Sequence, residues 1–143
     1  MTRWPRWLLV AMDELAQGVA EVLGERHNAR ILEYHRHTSL GAADDETPWC
    51  ASFVNWCLAQ CWIKGTNSAR ARSFETWGQM SGPDVGAVAV LWRGSPGAAT
   101  GHVGFLLGHG SGRVILLGGN QGNAVSVTTY PEDRVVCYRR PTA

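Results

Sequence analysis

The hydrophobic pattern of this chain changes its period near residue 86. Before that point, apolar residues recur three and four positions apart, which is the spacing of one face of an α-helix. After it, short runs rich in β-branched and aromatic residues are separated by glycine, proline, asparagine and aspartate, a pattern typical of strands with short connections. Because the helices precede the strands, the pattern predicts an α+β fold in which N-terminal helices pack on one face of a C-terminal antiparallel sheet.

Two helices and five strands are predicted outside the segment around residue 50. The first helix has apolar residues at positions 8, 12, 15, 19 and 22 and is expected to end at Gly24, and the second lies around residues 31–35. The strands are expected at residues 87–92, 102–107, 114–117, 125–130 and 135–138.

Length and charge narrow the class of protein. A chain of 143 residues without a repeat or low-complexity linker is expected to form a single domain over residues 1–143. The 13 basic and 12 acidic residues leave a net charge of +1, too small a surplus for a phosphate-binding surface, so no nucleic-acid partner is expected. Asp13 and Glu14 interrupt the apolar start of the chain, so we expect synthesis in the cytoplasm with neither a signal peptide nor a membrane span.

Cys50 is predicted to lie in the first turn of a third helix. Thr47 is expected to cap this helix, and Pro48 to occupy its first position, where a missing N–H costs nothing. From Cys50 onward, a stripe of helical spacing is predicted to face the core, with Cys50 as its most solvent-accessible member. The stripe consists of Cys50, Phe53, Val54, Cys57, Leu58 and Cys61.

A cysteine in the first helical turn is a candidate nucleophile. The positive end of the helix dipole and the unpaired N–H groups favour the thiolate, so the pKa of the Cys50 thiol is expected to fall below about 8.5. The alternative is that Cys50 is a small core residue, which is the role expected for Cys57, Cys61 and Cys137. The cysteine spacing fits neither the usual zinc patterns nor a disulfide framework, so neither is expected.

His102 is the candidate base among the five histidines. It begins a strand flanked by glycines, where a side chain commonly faces a cleft. His27, His37 and His109 lie in polar loops or a turn and are expected to be solvated. We therefore expect the imidazole of His102 to meet the Cys50 sulfur in an open groove.

A third group is needed to orient the imidazole of His102. The following hairpin decides which residues come beside the ring, and we expect Gly108 to pair with Arg113 across it. With that register, Asn120 and Gln121 lie within reach of the ring. A one-residue shift in the pairing exchanges these two residues, so both stay candidates. The alternative is that their segment forms only a polar turn.

Taken together, three segments resemble the CHAP and NlpC-type papain-like cysteine peptidases. They are residues 47–56 (TPWCASFVNW), 101–105 (GHVGF) and 117–121 (LGGNQ), in the order cysteine on a helix, histidine on a strand and polar residue on the next strand. The resemblance extends from about residue 31 to the C-terminus and is closest to short, single-domain members of bacteria and phages. It implies a papain-like α+β fold with a sheet of about five strands.

The resemblance also implies a function and a set of site residues. The implied reaction is hydrolysis of amide bonds in peptidoglycan stem peptides, by an endopeptidase or an N-acetylmuramoyl-L-alanine amidase. Cys50 matches the family nucleophile, His102 the general base and Asn120 the residue that orients the histidine. No cofactor or metal is implied, since residues 44–46 lack the ligand spacing of the calcium loop of some CHAP domains. The residues expected by analogy to bind substrate are Trp49, Glu33, Tyr34 and Gln121, and a buried Trp49 that packs against the helix start is an equal alternative.

Partners and location follow from the same resemblance. Peptidoglycan is the expected substrate of a monomer that acts at the cell wall. The protein is expected to be a phage lysin, or a secreted antibacterial effector with an immunity protein and a secretion machine as partners, and to be delivered without a signal peptide. Two other functions stay open at this point: a non-catalytic module that binds peptidoglycan or a protein, and an acyltransferase that uses the same thioester.

Overall fold

The computed structural model describes residues 4–22, 27–39 and 48–142. In this part of the chain, three α-helices precede six β-strands, and two short 3₁₀ helices lie between elements. The α-helices are α1 (Arg6–Ala16), α2 (Ala29–His35) and α3 (Cys50–Ala59), and the 3₁₀ helices are Ala71–Thr76 and Glu132–Arg134. The strands are β1 (Gln79–Ser81), β2 (Val88–Trp92), β3 (Gly101–Gly110), β4 (Arg113–Gly118), β5 (Ser126–Pro131) and β6 (Val135–Arg140).

The six strands form one antiparallel sheet in the order β1-β6-β2-β3-β4-β5. Helices that pack on such a sheet make the α+β, papain-like fold that was expected. The five predicted strands are confirmed. Strand β1 is an addition, which pairs with β6 at the edge of the sheet, from Gln79 opposite Arg140 to Ser81 opposite Tyr138.

The first helix is shorter than its apolar spacing predicts. Helix α1 ends at Ala16, and Gly18 follows with a left-handed φ of 70°, which turns the chain out of the helix. Val19 is still buried, but it contributes from the connection after the helix, where its carbonyl accepts from the N–H of Val125. The predicted end at Gly24 lies outside the described residues.

Helix α3 is buried on all sides. Every residue from Cys50 to Leu58 is buried, so the stripe predicted to face the core is part of a helix that is enclosed around its whole circumference. Cys50 is 7% exposed and Cys61 is 9% exposed, so the prediction that Cys50 is the most accessible of the stripe is wrong. Strand residues Val103 and Phe105 belong to the same apolar cluster as the helix.

The sheet is strongly curved, so that the apolar side chains on the face away from α3 pack against one another. Strands β5 and β6 are separated in the sheet by three strands, or about 19 Å if the sheet were flat. The chain between them spans only residues 131–135, which reach about 14 Å at full extension. The sheet therefore curls, and this buries a second apolar cluster. Its fully or almost fully buried members are Ala89, Leu91, Leu106, Val114 and Leu116, and Tyr130, Val135 and Tyr138 pack against them.

None of the helices in the described ranges is long and apolar enough to span a membrane.

Candidate active site

Cys50 is the first residue of α3, so it lies in the first turn as predicted. Pro48 and Trp49 precede the helix instead of beginning it, and the predicted cap Thr47 lies outside the described residues. Trp49 provides no side-chain cap. The backbone N–H groups of Cys50 and Ala51 instead favour the ionised form of the Cys50 sulfur, although burial opposes them.

The Cys50 sulfur lies against strand β3. The backbone N–H of Val103, the residue after His102, also donates to this sulfur. Backbone N–H groups of a strand point along the sheet, so the sulfur lies beside β3 rather than above it. The start of α3 also packs tightly on the segment after β4, since a Cβ on Gly119 would lie 2.7 Å from the Cβ of Phe53. Only glycine fits at this position without a shift of the helix.

His102 is held by a side chain whose own orientation is fixed. The ring is 3% exposed, and its Nε2 lies 2.8 Å from Oε1 of Gln121. The Gln121 amide nitrogen donates to the carbonyls of Leu116, at 3.2 Å, and Ser126, at 2.7 Å. Because the NH₂ group is used in this way, Oε1 must accept, and Nε2 of His102 must carry the proton. The unprotonated nitrogen is therefore Nδ1, which is buried and has no hydrogen-bond partner among the described residues.

The partner of His102 is thus Gln121, and the orienting contact expected of Asn120 is not formed. Asn120 has a left-handed φ of 57° and lies partly exposed in the turn after β4. The backbone of Gln121 is also held in place. Its N–H donates to the carbonyl of Ala124, and its own carbonyl accepts from the Ser126 hydroxyl.

The register of the preceding hairpin also differs from the expected one. The turn residues are Ser111 and Gly112, with φ of 53° and 74°, which is typical of a two-residue type I′ turn. Gly110 therefore pairs with Arg113, and the predicted pairing of Gly108 with Arg113 is wrong. A further register shift between Leu106 and Gly108 leaves one residue of β3 unpaired. Continued past Gly118, this register would set Asn120 opposite His102, so the left-handed turn at Asn120 is what brings Gln121 to the ring instead.

Tyr130 of β5 completes the surroundings of the ring and was missed by the sequence analysis. Its hydroxyl oxygen lies 3.3 Å from Nε2 of His102, and the two ring centroids are 5.2 Å apart at an interplanar angle of 36°. No local sequence signal marks this residue, because the contact depends on the curl of the sheet.

Comparison with known families identifies the family of this chain. The CHAP domain family matches residues 42–120, which is more than half of the chain and includes the helix of Cys50 and the strand of His102. The chain belongs to the CHAP domain family. CHAP domains are in general cysteine hydrolases that act on peptidoglycan as amidases or peptidases. A search of curated proteins found no match to this chain.

Two of the expected substrate-binding residues of this CHAP domain are core residues. Tyr34 and Trp49 are fully buried and stack on each other, with ring centroids 5.9 Å apart. The Tyr34 hydroxyl donates to Glu14 at 2.6 Å, and the Trp49 indole N–H donates to Glu21 at 3.2 Å. Neither side chain faces a groove, because both fill the space between α1, α2 and the start of α3.

Glu33 lies at the surface but connects two helices. Its carboxylate accepts from Arg30 at 3.0 Å and from the indole N–H of Trp56 at 2.7 Å, which joins α2 to α3. Another residue of α2, His35, is buried, and its Nδ1 lies 2.9 Å from the Ser52 hydroxyl of α3. These contacts give both residues a role in packing α2 against the helix that carries Cys50.

Burial sets the charge states of Cys50 and His102, between which there is no hydrogen bond, since the partners of the imidazole are Gln121 and Tyr130. Burial raises the pKa of the Cys50 thiol, and this outweighs the N–H groups and the positive charge of Arg93, which favour the thiolate. Burial also lowers the pKa of His102 to about 4, with Arg93 and Arg134 acting in the same direction and the Gln121 hydrogen bond opposing them. At pH 7 the pair is therefore a neutral thiol and a neutral imidazole. The expected lowering of the Cys50 pKa and the expected open groove are both absent from this arrangement.

The cysteines and acidic residues offer no metal centre in the described part of the chain. Cys50, Cys57, Cys61 and Cys137 are free thiols. Within residues 4–22, 27–39 and 48–142, no three His, Cys, Asp or Glu side chains are grouped closely enough to hold a metal ion. The acidic run at 44–46 lies outside these ranges.

Proposed function

We propose that this CHAP domain is a cysteine hydrolase that cleaves amide bonds in peptidoglycan stem peptides, with Cys50 as nucleophile and His102 as general base. One observation supports this assignment most strongly. The base nitrogen Nδ1 of His102 is buried without a hydrogen-bond partner in the described structure, while the next residue, Val103, donates its N–H to the Cys50 sulfur. A buried acceptor without a donor is unfavourable in a core, but it suits a base that must take a proton.

Gln121 takes the orienting role in this proposal. A neutral imidazole can carry its proton on either nitrogen, and only the form with the proton on Nε2 leaves Nδ1 free to act as a base. The 2.8 Å bond from Nε2 to Oε1 of Gln121 selects that form. The same bond stabilises the imidazolium that appears during the reaction, because the donor then carries positive charge.

The neutral starting state indicates that proton transfer accompanies attack. As the Cys50 sulfur attacks the amide carbonyl, Nδ1 of His102 takes the thiol proton, and a tetrahedral intermediate with one oxyanion forms. Backbone N–H groups at the start of α3, from Cys50 and Ala51, then stabilise the developing charge, as the positive end of the helix dipole favours. The C–N bond then breaks, and His102 returns its proton to the leaving amine, which leaves a thioester on the sulfur.

Water completes the reaction. His102 takes a proton from the water as its oxygen attacks the thioester carbon, and the second tetrahedral intermediate expels the sulfur. The carboxylic acid product leaves, and the proton on His102 returns to Cys50, so that the thiol and the neutral imidazole are restored.

Turnover of purified peptidoglycan tests the assignment. Wild-type protein should release new amino groups, and Cys50→Ala should abolish their release while the circular dichroism spectrum stays unchanged. Cys57→Ala is the matched control, since Cys57 is a fully buried cysteine on the same helix and has no part in the proposed chemistry. Mass spectrometry of the fragments identifies the bond that is cut. Full activity of Cys50→Ala would overturn the proposal.

The burial of the pair favours one rival, a binding module without catalysis. Cys50 is only 7% exposed and its pKa is raised, as for an inert core thiol. The rival predicts that Cys50 and Cys57 react with iodoacetamide equally slowly. It also predicts that the wild type shows no turnover of peptidoglycan and that Cys50→Ala still binds it. The hydrolase predicts that alkylation of Cys50 is the faster of the two and stops turnover.

A further inference from the structure

Tyr130 reaches His102 only because the sheet is curled. Tyr130 pairs with Val114, and Val114 pairs with His109, which is seven residues along β3 from His102. In a flat sheet this would separate Tyr130 from His102 by roughly 20 Å or more. The Tyr130 hydroxyl oxygen nevertheless lies 3.3 Å from Nε2 of His102, and the ring lies against the imidazole. The curl therefore brings an edge strand over the base.

The contact leaves the two nitrogens of His102 in unequal surroundings. Nε2 faces both Gln121, at 2.8 Å, and the Tyr130 hydroxyl, at 3.3 Å, whereas Nδ1 has no hydrogen-bond partner among the described residues. The longer distance makes the hydroxyl the weaker of the two partners. The larger contribution of Tyr130 is its ring, which covers the imidazole on the side of the Gln121 bond.

We propose that Tyr130 is a positioning residue for His102, and that its ring keeps water away from the imidazole and from the His102–Gln121 hydrogen bond. Without the ring, water competes for Nε2 and for Oε1 of Gln121, and the imidazole gains freedom to rotate. With the ring in place, Nδ1 is the nitrogen left to accept a proton. The consequence for catalysis rests on the proposed function, but the effect on His102 itself does not.

The charged groups around His102 make its titration a sensitive measure of this shielding. Arg93 follows β2 and Arg134 precedes β6, and both disfavour protonation of the ring, while Cys50, a neutral thiol at the start of α3, acts on the neighbouring Tyr130 hydroxyl. Desolvation by burial is the largest cause of the lowered His102 pKa, which is about 4. Admission of water to the ring should therefore raise this pKa toward the ordinary value of about 6.5.

Histidine NMR titration of the full chain, without substrate, tests the proposal. In Tyr130→Ala the pKa of His102 should rise from about 4 toward 6.5, and in Tyr130→Phe, which keeps the ring, it should stay near the wild-type value. Tyr138→Ala is the matched control, since Tyr138 is a partly buried tyrosine in the same apolar cluster. Tyr130→Leu keeps apolar bulk and should give a smaller rise, which supplies a second measurement if Tyr130→Ala does not fold.

Kinetics should follow the same order. The acid limb of kcat/KM should move to higher pH in Tyr130→Ala, and its plateau should fall roughly tenfold, while Tyr130→Phe and Tyr138→Ala stay within about twofold of the wild type. An unchanged His102 pKa in a folded Tyr130→Ala or Tyr130→Leu, or an equal rise in Tyr138→Ala, would overturn the proposal. If the titration shifts as expected but the wild type hydrolyses nothing, the proposed function fails and the role of Tyr130 stands.

Discussion

The two ends of helix α3 depart from ordinary helix termini in different ways. At the N-terminal end, Trp49 occupies the cap position without a side-chain hydrogen bond, although Ser, Thr, Asp and Asn are preferred there. At the C-terminal end, Trp62 occupies a left-handed position with a φ of 60°, although glycine is preferred there. The first departure leaves N–H groups for the Cys50 sulfur. The second leaves an indole that is 94% exposed.

The cost of an unfavourable terminal residue is matched by a contact within the fold at only one end of α3. The C-terminal end has the backbone bonds of a Schellman motif, with the N–H of Trp62 on Ala59 and the N–H of Ile63 on Leu58, both at 3.0 Å. A left-handed L-residue costs about 1 to 2 kcal/mol in such a position. The Trp62 indole is 94% exposed, so its burial offsets little of this cost, whereas the uncapped N–H groups at Cys50 favour ionisation of the sulfur that the proposed reaction uses.

The largest expected effect concerns the N-terminal end of α3 and is on activity. It comes from a change at Gln121, which holds the proposed base His102. Gln121→Ala removes the acceptor for Nε2 of His102, so both the proton position and the ring orientation are lost. We expect kcat/KM to fall about a hundredfold, equivalent to about 2.7 kcal/mol of transition-state stabilisation. Initial rates on solubilised peptidoglycan measure this.

Asn120→Gly is the matched control for Gln121→Ala. It removes the neighbouring side chain and suits the left-handed φ of 57°, so it adds no backbone strain. We expect kcat/KM within about twofold of the wild type. If Asn120→Gly instead shows the hundredfold loss and Gln121→Ala does not, the residue that orients His102 is Asn120. The contacts of His102 in the active protein would then differ from those of this structure.

The choice between Asn120 and Gln121 marks the limit of sequence analysis at this site. Cys50 and His102 could be selected from local signals, a helix start and a glycine-flanked strand. Their third partner depends on the left-handed turn at Asn120, because the strand register alone would set Asn120 opposite His102, and composition does not encode that turn. The sequence therefore narrowed the partner to two residues and could not separate them.

The main elements of the fold could be predicted from the sequence, but several of their contacts could not. Five strands follow from β-rich runs with turn residues between them, but β1 has only three residues and no period, so it had no signal. The aromatic residues Tyr34 and Trp49 gave no indication of whether they face a groove or a core. The contact of Tyr130 with His102 arises from the curl of the sheet, which is a property of the whole topology.

A smaller effect is expected in the middle of α3, where Asn55 fastens the segment that follows the helix. Its Oδ1 accepts from the N–H groups of Thr66, at 2.8 Å, and Asn67, at 3.2 Å, and its Nδ2 donates to the carbonyl of Ser68, at 3.1 Å. Asn55→Ala leaves these groups without that partner, so we expect the free energy of unfolding to fall by roughly 2 kcal/mol. Urea denaturation measures this loss.

The control for Asn55 is Gln60→Ala, an exposed residue at the C-terminal cap of the same helix, which should change stability by less than about 0.5 kcal/mol. Below the unfolding transition, Asn55→Ala should keep the wild-type pKa of His102, because the contacts that it loses are with residues 66–68 and the Ala51 carbonyl and not with His102 or Gln121. A changed His102 titration would mean that the two ends are coupled, and the contrast between them would have to be abandoned.

The smallest expected effect has the opposite sign. Trp62→Gly removes the strain of the left-handed φ, worth about 1 to 2 kcal/mol, and adds unfolded-state entropy that costs about 0.5 to 1 kcal/mol, so a net gain of roughly 0.5 kcal/mol is expected. Trp62→Ala keeps a Cβ and hence the strain, and because the indole is 94% exposed it should lose little burial and stay near the wild type. If both variants lose stability alike, the indole has a stabilising contact, and the C-terminal end resembles the N-terminal one after all. If only Trp62→Gly gains stability, the tryptophan at this position makes the fold less stable than glycine would.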